Sequence, residues 1–507
     1  MTATPVPPPG RLASNAVVTA VAQGASMLLG GVVALIIQLR FGKDAETDGL
    51  FAAYGVYGIL VVVAVSFRAT IVARLVEGPS LFEALDRYLG AATAIFLGAA
   101  IPLVALGAPI ASALIGDVGQ TATDTARTAL LVFWLAAGTQ LANALFAAAL
   151  GVRDQFLLPG AAYVTGGVLA VVGLLALAPA LGIQAVPLAI AIGGVVTAAM
   201  MLMRLVRLGY RPRLARLVPD RGALARAGLL LWAAVGAVAG QITYVATIGF
   251  AARLGEGEAS LYTYGYFLMV LFVGILGGAM TIALAPRLAE TWDLRPESLH
   301  GPMVDVFRAG SLVVLPVVGV MAIAGEPLAG IVFAPHDARE VVAVFLALSG
   351  GLLLTTAVPV PQLAMYTRGR YGAVAVLAVL GVALQFGFCA VAVTFDWLPA
   401  LGVAATVTGS ITAWALFALV FGRRWPAAAW LLVRELAPVA AVAAIVFVPA
   451  GFVGALGGAP AELLAAVVAL GVFCLLARAS LPGHWHVAER LLAPLGRRFA
   501  RLGAAAR

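Results

Sequence analysis

Polar side chains at helical spacing interrupt long apolar runs. Gln140 and Asn143 lie three residues apart, as do Gln241 and Tyr244, so each pair lies on one face of a helix. Lipid leaves such groups without hydrogen-bond partners, which means that they face a polar cavity or another helix. We predict a substrate-binding cavity from them, with interhelical packing as the alternative. Other polar residues inside the runs include Gln23 and Ser26, three residues apart on the first run, and Tyr262, Tyr264, Tyr266, Gln362 and Gln385.

A few charges border these runs. Asp48 lies in a turn before an apolar run, where it is either a substrate ligand or, with Thr47, a helix N-cap. Arg68 lies near the end of that run, where a guanidinium either snorkels to the interface or binds a substrate phosphate. Glu326 is an interfacial residue or a proton-coupling carboxylate. Three further arginines could form an access site for a phosphate: Arg153, Arg368 and Arg370.

Groups for catalysis are missing from the runs. We find no paired carboxylates, no Ser/His/Asp set and no phosphate-binding glycine loop. The four histidines lie outside the runs or at their ends, and the two cysteines have no ligand spacing. The sequence therefore predicts a protein that is not an enzyme and uses no metal or cofactor.

Composition defines the class of protein. Of 507 residues, 63% are hydrophobic and 11% are charged, and the mean hydropathy is +1.06. A soluble domain is about a quarter charged. We therefore exclude a cytosolic enzyme and a nucleic-acid binder and predict an all-α polytopic membrane protein. The net charge of +8 then reflects basic loops beside anionic lipid.

The apolar runs give fourteen predicted spans, on the scale of about 20 residues per crossing. Their limits are 17–39, 50–72, 89–115, 128–151, 157–181, 184–205, 227–250, 261–286, 307–333, 341–365, 371–395, 398–421, 435–455 and 460–480. With both termini cytoplasmic, 26 of the 31 basic residues fall on the inner side, as the positive-inside rule expects.

An internal repeat divides the chain. RFGKDAETDGLFAAYG (Arg40–Gly55) parallels RLGEGEASLYTYG (Arg253–Gly265), since each links two spans by a charged turn. We predict two pseudo-symmetric six-helix lobes plus two C-terminal helices. The predicted segments are a disordered leader 1–16, a lobe 17–210, a basic cytoplasmic linker 211–226, a lobe 227–422, two spans within 423–482 and a basic cytoplasmic tail 483–507.

Four motifs resemble the MurJ (MviN-type) lipid II flippases of the MOP transporter superfamily. They are Phe41–Tyr54 with its TDGLFAAY, Leu145–Val164, Gln362–Val374 and APRLAE at Ala285–Glu290. The resemblance implies two lobes that rock around a central cavity, and a groove for a lipid tail at spans thirteen and fourteen. It also implies cavity arginines, yet the matching positions here lie near Met27, Val33, Val61 and Tyr266.

We therefore expect an alternating-access flippase in the bacterial cytoplasmic membrane. Its substrate is a polyprenyl-linked cell-envelope precursor, with lipid II the leading candidate, and its partners are membrane lipids and a coupling ion or the membrane potential. The alternatives are a flippase for another lipid-linked polysaccharide unit, a MATE-like exporter of amphiphilic small molecules, and a non-transporting scaffold of an envelope-synthesis complex.

Overall fold

The computed structural model describes residues 9–77, 80–115, 119–153, 155, 157–213, 221–271, 296–367 and 370–489. Every regular element in these ranges is a helix, which satisfies backbone polar groups within one segment, as lipid requires. The helices are α1 (Pro9–Phe41), α2 (Ala45–Glu77), α3 (Leu81–Ile115), α4 (Gln120–Val152), α5 (Leu157–Leu181), α6 (Ala185–Arg207), α7 (Arg221–Ala251), α8 (258–271, to the end of its described range), α9 (Pro296–Ala329), α10 (Pro335–Ala357), α11 (Pro359–Thr367), α12 (Tyr371–Ala392), α13 (Pro399–Phe421), α14 (Trp425–Ala455) and α15 (Gly458–Ser480).

The described helices overlap the predicted spans, and most of them start earlier, for example α3 at Leu81, α4 at Gln120 and α9 at Pro296. The span at 341–365 is divided into α10 and α11, because Pro359 has no backbone N–H and disfavours a helical residue before it. Helix α14 starts at Trp425, ahead of its predicted span, with Pro426 in its first turn. Helix α1 starts at Pro9 and so takes in part of the predicted leader 1–16.

Among the described residues, ten stretches are long and apolar enough to cross a membrane. Two of them, Leu157–Arg207 and Pro399–Ala455, each cover two helices. The protein is therefore a multi-pass membrane protein, and the number of fourteen spans stays a prediction. The APRLAE motif, most of span eight beyond residue 271, residues 214–220 of the linker and 490–507 of the tail lie outside the described residues.

The chain forms two compact units. The first consists of Ala25–Tyr264 with Tyr371–Ala405, and the second of Met1–Gly24, Gly265–Arg370 and Thr406–Arg507. The first unit includes α7 and α12, which lie in the predicted lobe 227–422, because α7 packs against α2 and α3 and α12 packs against α7. The units defined by helix contacts therefore do not coincide with the lobes predicted from the internal repeat.

Small residues bring helices of the first unit close together. A Cβ atom on Gly49 would meet the backbone oxygen of Ala122, so α2 and α4 touch at a position that only glycine fits. Between α5 and α6, a Cβ atom on Gly166 or on Gly193 would meet the other's carbonyl oxygen. Such contacts take the place of the hydrophobic effect, which does not drive helix association in lipid.

The second unit packs α9 against α10, α14 and α15. Gly319 on α9 faces the ring of Phe447 on α14, and that ring lies 5.8 Å from the ring of Phe473 on α15. The two C-terminal helices are therefore joined to the rest of the unit through an aromatic core.

Candidate functional site

Helix α2 is capped by Asp44. Its carboxylate accepts hydrogen bonds from the backbone N–H and the hydroxyl of Thr47, both at 2.8 Å. This is the N-cap geometry, in which a side-chain oxygen satisfies an early backbone N–H of the helix. The N-cap interpretation of Asp48 with Thr47 is therefore wrong, because Asp44 holds that position.

Asp48 instead caps the helix of the other repeat. It is 1% exposed and accepts hydrogen bonds from the backbone N–H of Gly257 at 2.7 Å and of Ser260 at 2.8 Å. The hydroxyl of Ser260 donates a third at 2.6 Å. These partners form the start of α8, where unpaired N–H groups favour an anion.

A carboxylate of the second repeat makes the reciprocal contact with the first repeat. Glu256 Oε1 accepts a hydrogen bond from the backbone N–H of Ala45, at the start of α2, at 3.2 Å. The ring of Phe51 also meets the ring of Tyr264 edge-on, with centroids 5.2 Å apart. The two repeated turns found in the sequence are thus joined, each supplying a carboxylate to the other's helix start.

The polar pair on α4 lies in the bundle of the first unit. Asn143 is fully buried, and its amide Nδ2 donates to the carbonyl of Gly194 on α6 at 3.2 Å. Its Oδ1 has no partner among the described residues. Gln140 is half-buried and is a hydrogen-bonding partner of the Tyr57 hydroxyl on α2.

The polar pair on α7 joins that helix to both repeated segments. The amide of Gln241 lies 3.5 Å from the carbonyl oxygen of Gly55, and the hydroxyl of Tyr244 donates to Thr263 Oγ1 at 3.3 Å. Both pairs predicted to line a cavity therefore make interhelical contacts in this structure, and their role in substrate binding stays a prediction.

Sequence reasoning did not assign a polar cluster between α7 and α12. The Gln385 amide donates to Thr247 Oγ1 at 2.9 Å and to Cys389 Sγ at 3.0 Å. Gln385 and Cys389 are fully buried, and Gln385 Oε1 has no partner among the described residues. The i, i+4 spacing of Gln385 and Cys389 within an apolar run was the available signal.

A second unassigned cluster surrounds the end of α6. The Tyr210 hydroxyl donates to the buried carboxylate of Asp86 at 2.7 Å, and its ring lies 5.4 Å from that of Phe82. Burial, together with the Asp86 carboxylate, raises the pKa of Tyr210 above its ordinary value. The exposed guanidinium of Arg153 stacks over Phe82, 5.3 Å from its centroid. Arg153 is thus the one predicted phosphate ligand that the described residues show held against an aromatic ring.

The remaining predicted residues are dispersed. Glu326 is exposed and pairs with Arg339 Nε at 3.3 Å, which fits an interfacial residue, and its coupling role stays a prediction. Arg370 is exposed before α12. Tyr266 on α8 and Gln362 on α11 are half-buried. The side chain of Arg68 and the whole of Arg368 lie outside the described residues.

An ion cluster fixes the C-terminal helices in the second unit. Glu435 on α14 accepts a hydrogen bond from Arg308 Nε at 2.7 Å. His484, just after α15, lies 3.0 Å from the Glu435 carbonyl and 3.5 Å from its carboxylate. The Glu435 and His484 side chains are 8% and 9% exposed, so the cluster is buried. Burial lowers the pKa of His484.

A cavity of about 780 Å³ lies beside α14 in the second unit. Its walls come from α9, α10, α14 and α15 and are mostly apolar, for example Leu315, Phe447 and Phe452. Glu326, Arg339 and Glu462 are its charged members. Such an apolar cleft with charges at one end suits a lipid chain. The described residues hold no group of three or more His, Cys, Asp or Glu side chains that could bind a metal.

Comparison with known proteins identifies the family. The family model of the lipid II flippase MurJ matches residues 84–457. No curated protein matches the chain. A solved structure of the lipid II flippase MurJ in an inward closed conformation is similar, with a TM-score of 0.73, 14% identity, and coverage of 91% of this chain and 99% of that one.

Structures of the wider superfamily are also similar. An inward-facing multidrug resistance MATE transporter gives a TM-score of 0.59 at 15% identity and covers 83% of this chain and 95% of its own. A MOP superfamily transporter from Pyrococcus furiosus gives 0.55 at 17% identity, with 84% and 94% coverage. At these identities the likeness shows a shared fold, whereas the MurJ family model covers more than half of the sequence. The chain therefore belongs to the MurJ lipid II flippase family, as a flippase-type transporter of the membrane.

Proposed function

We propose that the protein is an alternating-access flippase that carries a polyprenyl-linked cell-envelope precursor from the inner to the outer face of the cytoplasmic membrane. The family match over residues 84–457 carries this proposal. The leading substrate is lipid II, which the name of the matched family specifies.

A second candidate substrate is another lipid-linked glycan. The positions near Met27, Val33, Val61 and Tyr266, where the resemblance implies arginines, hold apolar or aromatic residues. A pyrophosphate is best held by several guanidinium groups. The lack of arginines at these positions favours a headgroup with less charge. Alternatively, a pyrophosphate binds elsewhere, for example at Arg153 and Arg370.

Alternating access gives the joined repeats a role. The turns that carry Asp48 and Glu256 are predicted to lie on the outer side. While Asp48 caps α8 and Glu256 accepts the N–H of Ala45 at the start of α2, the two helix starts are held together. An outward-open state in this mechanism breaks these caps and exposes the Asp48 carboxylate to water, which solvates it.

The cavity beside α14 supports a lipid substrate. It lies along helices of predicted spans thirteen and fourteen, where the resemblance implies a groove for the lipid tail. In our proposal the polyprenyl chain stays in this groove while the headgroup crosses. Both termini lie in the cytoplasm, and a coupling ion or the membrane potential drives the cycle.

Reconstitution tests the proposal. Full-length protein in proteoliposomes is given fluorescent lipid II or, in a parallel sample, a polyprenyl monophosphate sugar, and transport is read as protection from a membrane-impermeant quencher. Transport of either lipid above empty liposomes supports a flippase, and the preferred lipid identifies the substrate class. If thermal melting shows that the protein is folded and it transports neither lipid, the proposed flippase function is overturned.

Membrane orientation has its own test. Cysteines placed at residue 3 and at Ala504, in a variant without Cys389 and Cys474, are treated with an impermeant maleimide in right-side-out vesicles. We expect protection of both until the vesicles are opened. Labelling of either one in sealed vesicles contradicts cytoplasmic termini.

A further inference from the structure

The first unit contains a second apolar cavity, separate from the one beside α14. Its volume is about 810 Å³, and its walls come from α2, α3, α7 and α12. Every residue that lines it is apolar. Several of them are exposed, such as Leu224 at 61% and Val379 at 61%, so the cavity opens toward lipid. We call it the α7 crevice.

The lining residues form a stripe along α7. Its members are Leu224, Gly228, Leu231, Val235, Val238 and Ile242. They are spaced alternately four and three apart, which places them on one face of the helix. Extended by three residues toward the start of the helix, the same stripe reaches Arg221, which is exposed.

Helix α3 repeats this arrangement. Ala94 and Gly98 line the crevice, and the same face reaches Arg87, seven residues before Ala94. Helices α3 and α7 pack together, and both arginines are exposed near the helix ends predicted to be cytoplasmic. Within the described part of the chain, neither guanidinium has a carboxylate partner. The crevice therefore has a basic inner mouth.

The crevice is longer than one lipid leaflet. From Leu224 to Ile242 it runs along α7 for about 27 Å at a rise of 1.5 Å per residue. The hydrocarbon core is about 30 Å thick, so an acyl chain from one leaflet reaches about 15 Å. A chain that fills the crevice from the inner mouth must pass the bilayer midplane.

A long chain with an anionic head, rather than a phospholipid whose acyl chains end near the midplane, matches the crevice in length and charge.

We propose that the α7 crevice binds the chain of a polyprenyl phosphate lipid in the inner leaflet, with Arg87 and Arg221 at its phosphate. This rests on the proposed function, which it extends by a loading site at which the lipid waits before transport. The site differs from the groove beside α14, which serves the chain during transport.

Photo-crosslinking tests the site. Full-length protein in phosphatidylcholine nanodiscs is irradiated with a polyprenyl phosphate that carries a diazirine at the far end of its chain. We expect crosslinks at Val238–Ile242, beyond the midplane, and at Val379–Val382, close to it. Crosslinks spread over all lipid-facing helices, or equal competition by phosphatidylglycerol at the same mole fraction, overturn the proposal.

A matched pair of glycine variants shows whether the crevice itself is used. Neither Gly228, which lines the crevice, nor Gly240, which does not, has an atom within 4 Å of an added Cβ. Gly228→Phe fills the crevice without a backbone clash and should lower crosslinking at least about fivefold, whereas Gly240→Phe should leave it unchanged. Equal crosslinking in the two variants contradicts the site.

The arginines are tested in the same assay. Each charge near an anionic surface contributes about 1 kcal/mol, so Arg87→Gln and Arg221→Gln should each weaken half-maximal labelling about fivefold. Arg253→Gln, at the opposite predicted side, is the control and should have no effect. Crosslinking without transport in proteoliposomes overturns the proposed function and leaves the site standing, whereas transport without crosslinking overturns the site alone.

Discussion

The Asp48 carboxylate accepts a hydrogen bond from the backbone N–H of Gly257 at 2.7 Å, across a separation of 209 residues. Gly257 has φ of +86°, a conformation that side chains other than glycine rarely adopt. The glycine turn presents its N–H to a carboxylate of the first repeat. Thr47–Gly49 of the first repeat and Glu256–Glu258 of the second repeat therefore form the two sides of one contact.

Asp48→Asn should destabilise the protein. The amide keeps one acceptor oxygen, but its NH₂ faces backbone donors and the charge at the start of α8 is lost. We expect a loss of about 2 kcal/mol in the free energy of unfolding. Denaturant titration in detergent measures it. Glu256→Gln is the control, with a loss below about 0.5 kcal/mol because its bond is exposed. Equal losses of unfolding free energy in the two variants would contradict the assignment of Asp48 as the buried cap of α8.

Gly49→Ala should separate α2 from α4. The new Cβ would meet the backbone oxygen of Ala122, which cannot rotate away, so the helices must shift. Overpacking of this kind costs about 1–3 kcal/mol. Gly98→Ala is the comparison, since nothing lies within 4 Å of its Cβ, and it should be neutral or slightly stabilising. The melting temperatures of the two variants measure the difference, and a Gly49→Ala variant as stable as wild type refutes it.

Arg308→Gln should be far more harmful than Arg339→Gln. The first removes the closest cation of the Glu435 carboxylate, which is 8% exposed, and leaves, among the described arginines, only Arg434 Nη2 at 3.7 Å. Breaking a buried pair from one side costs about 3–5 kcal/mol. The second breaks an exposed pair with Glu326, which costs about 0–1 kcal/mol. Unfolding free energies measure both. The double variant Arg308→Gln, Glu435→Gln should recover part of the loss, and its failure to do so would argue against a charge effect.

Stability should fall in mild acid because of His484. Its pKa is lowered in the folded protein by burial, while that of the unfolded chain stays near 6.5. As the pH falls below about 6.5, His484 becomes protonated in the unfolded chain while it stays neutral in the folded protein. The free energy of unfolding therefore decreases. Stability measured from pH 7.5 to 5 shows this slope. His484→Asn should flatten it, whereas His486→Asn, at an exposed position, should not. Identical slopes in the two variants would exclude His484 as the cause.

The helices could be predicted because their signals are local. Apolar runs of span length placed the boundary between spans 157–181 and 184–205, where Gly182 at positive φ lies between α5 and α6. They also placed the end of span 398–421, which Gly422 at positive φ follows directly. The division of span ten at Pro359 was also present in the sequence as VPVP. The prediction missed it because hydropathy alone does not register a proline.

Polar partners could not be predicted in the same way. Asp48 was identified as a notable charge, yet its cap on α8 depends on residues far along the chain. The Arg308, Glu435 and His484 cluster combines three helical regions, and no spacing in the sequence connects them.

By itself the sequence determined the class of protein, its helices and its repeat, since hydropathy, helix breakers and internal similarity act over short distances along the chain. The tertiary structure alone decided which polar groups pair, that Asp44 rather than Asp48 caps α2, and where apolar crevices open. The physical reason is that a hydrogen bond or a cavity depends on atoms within a few ångströms in space, and helix packing brings such atoms together from distant parts of the sequence.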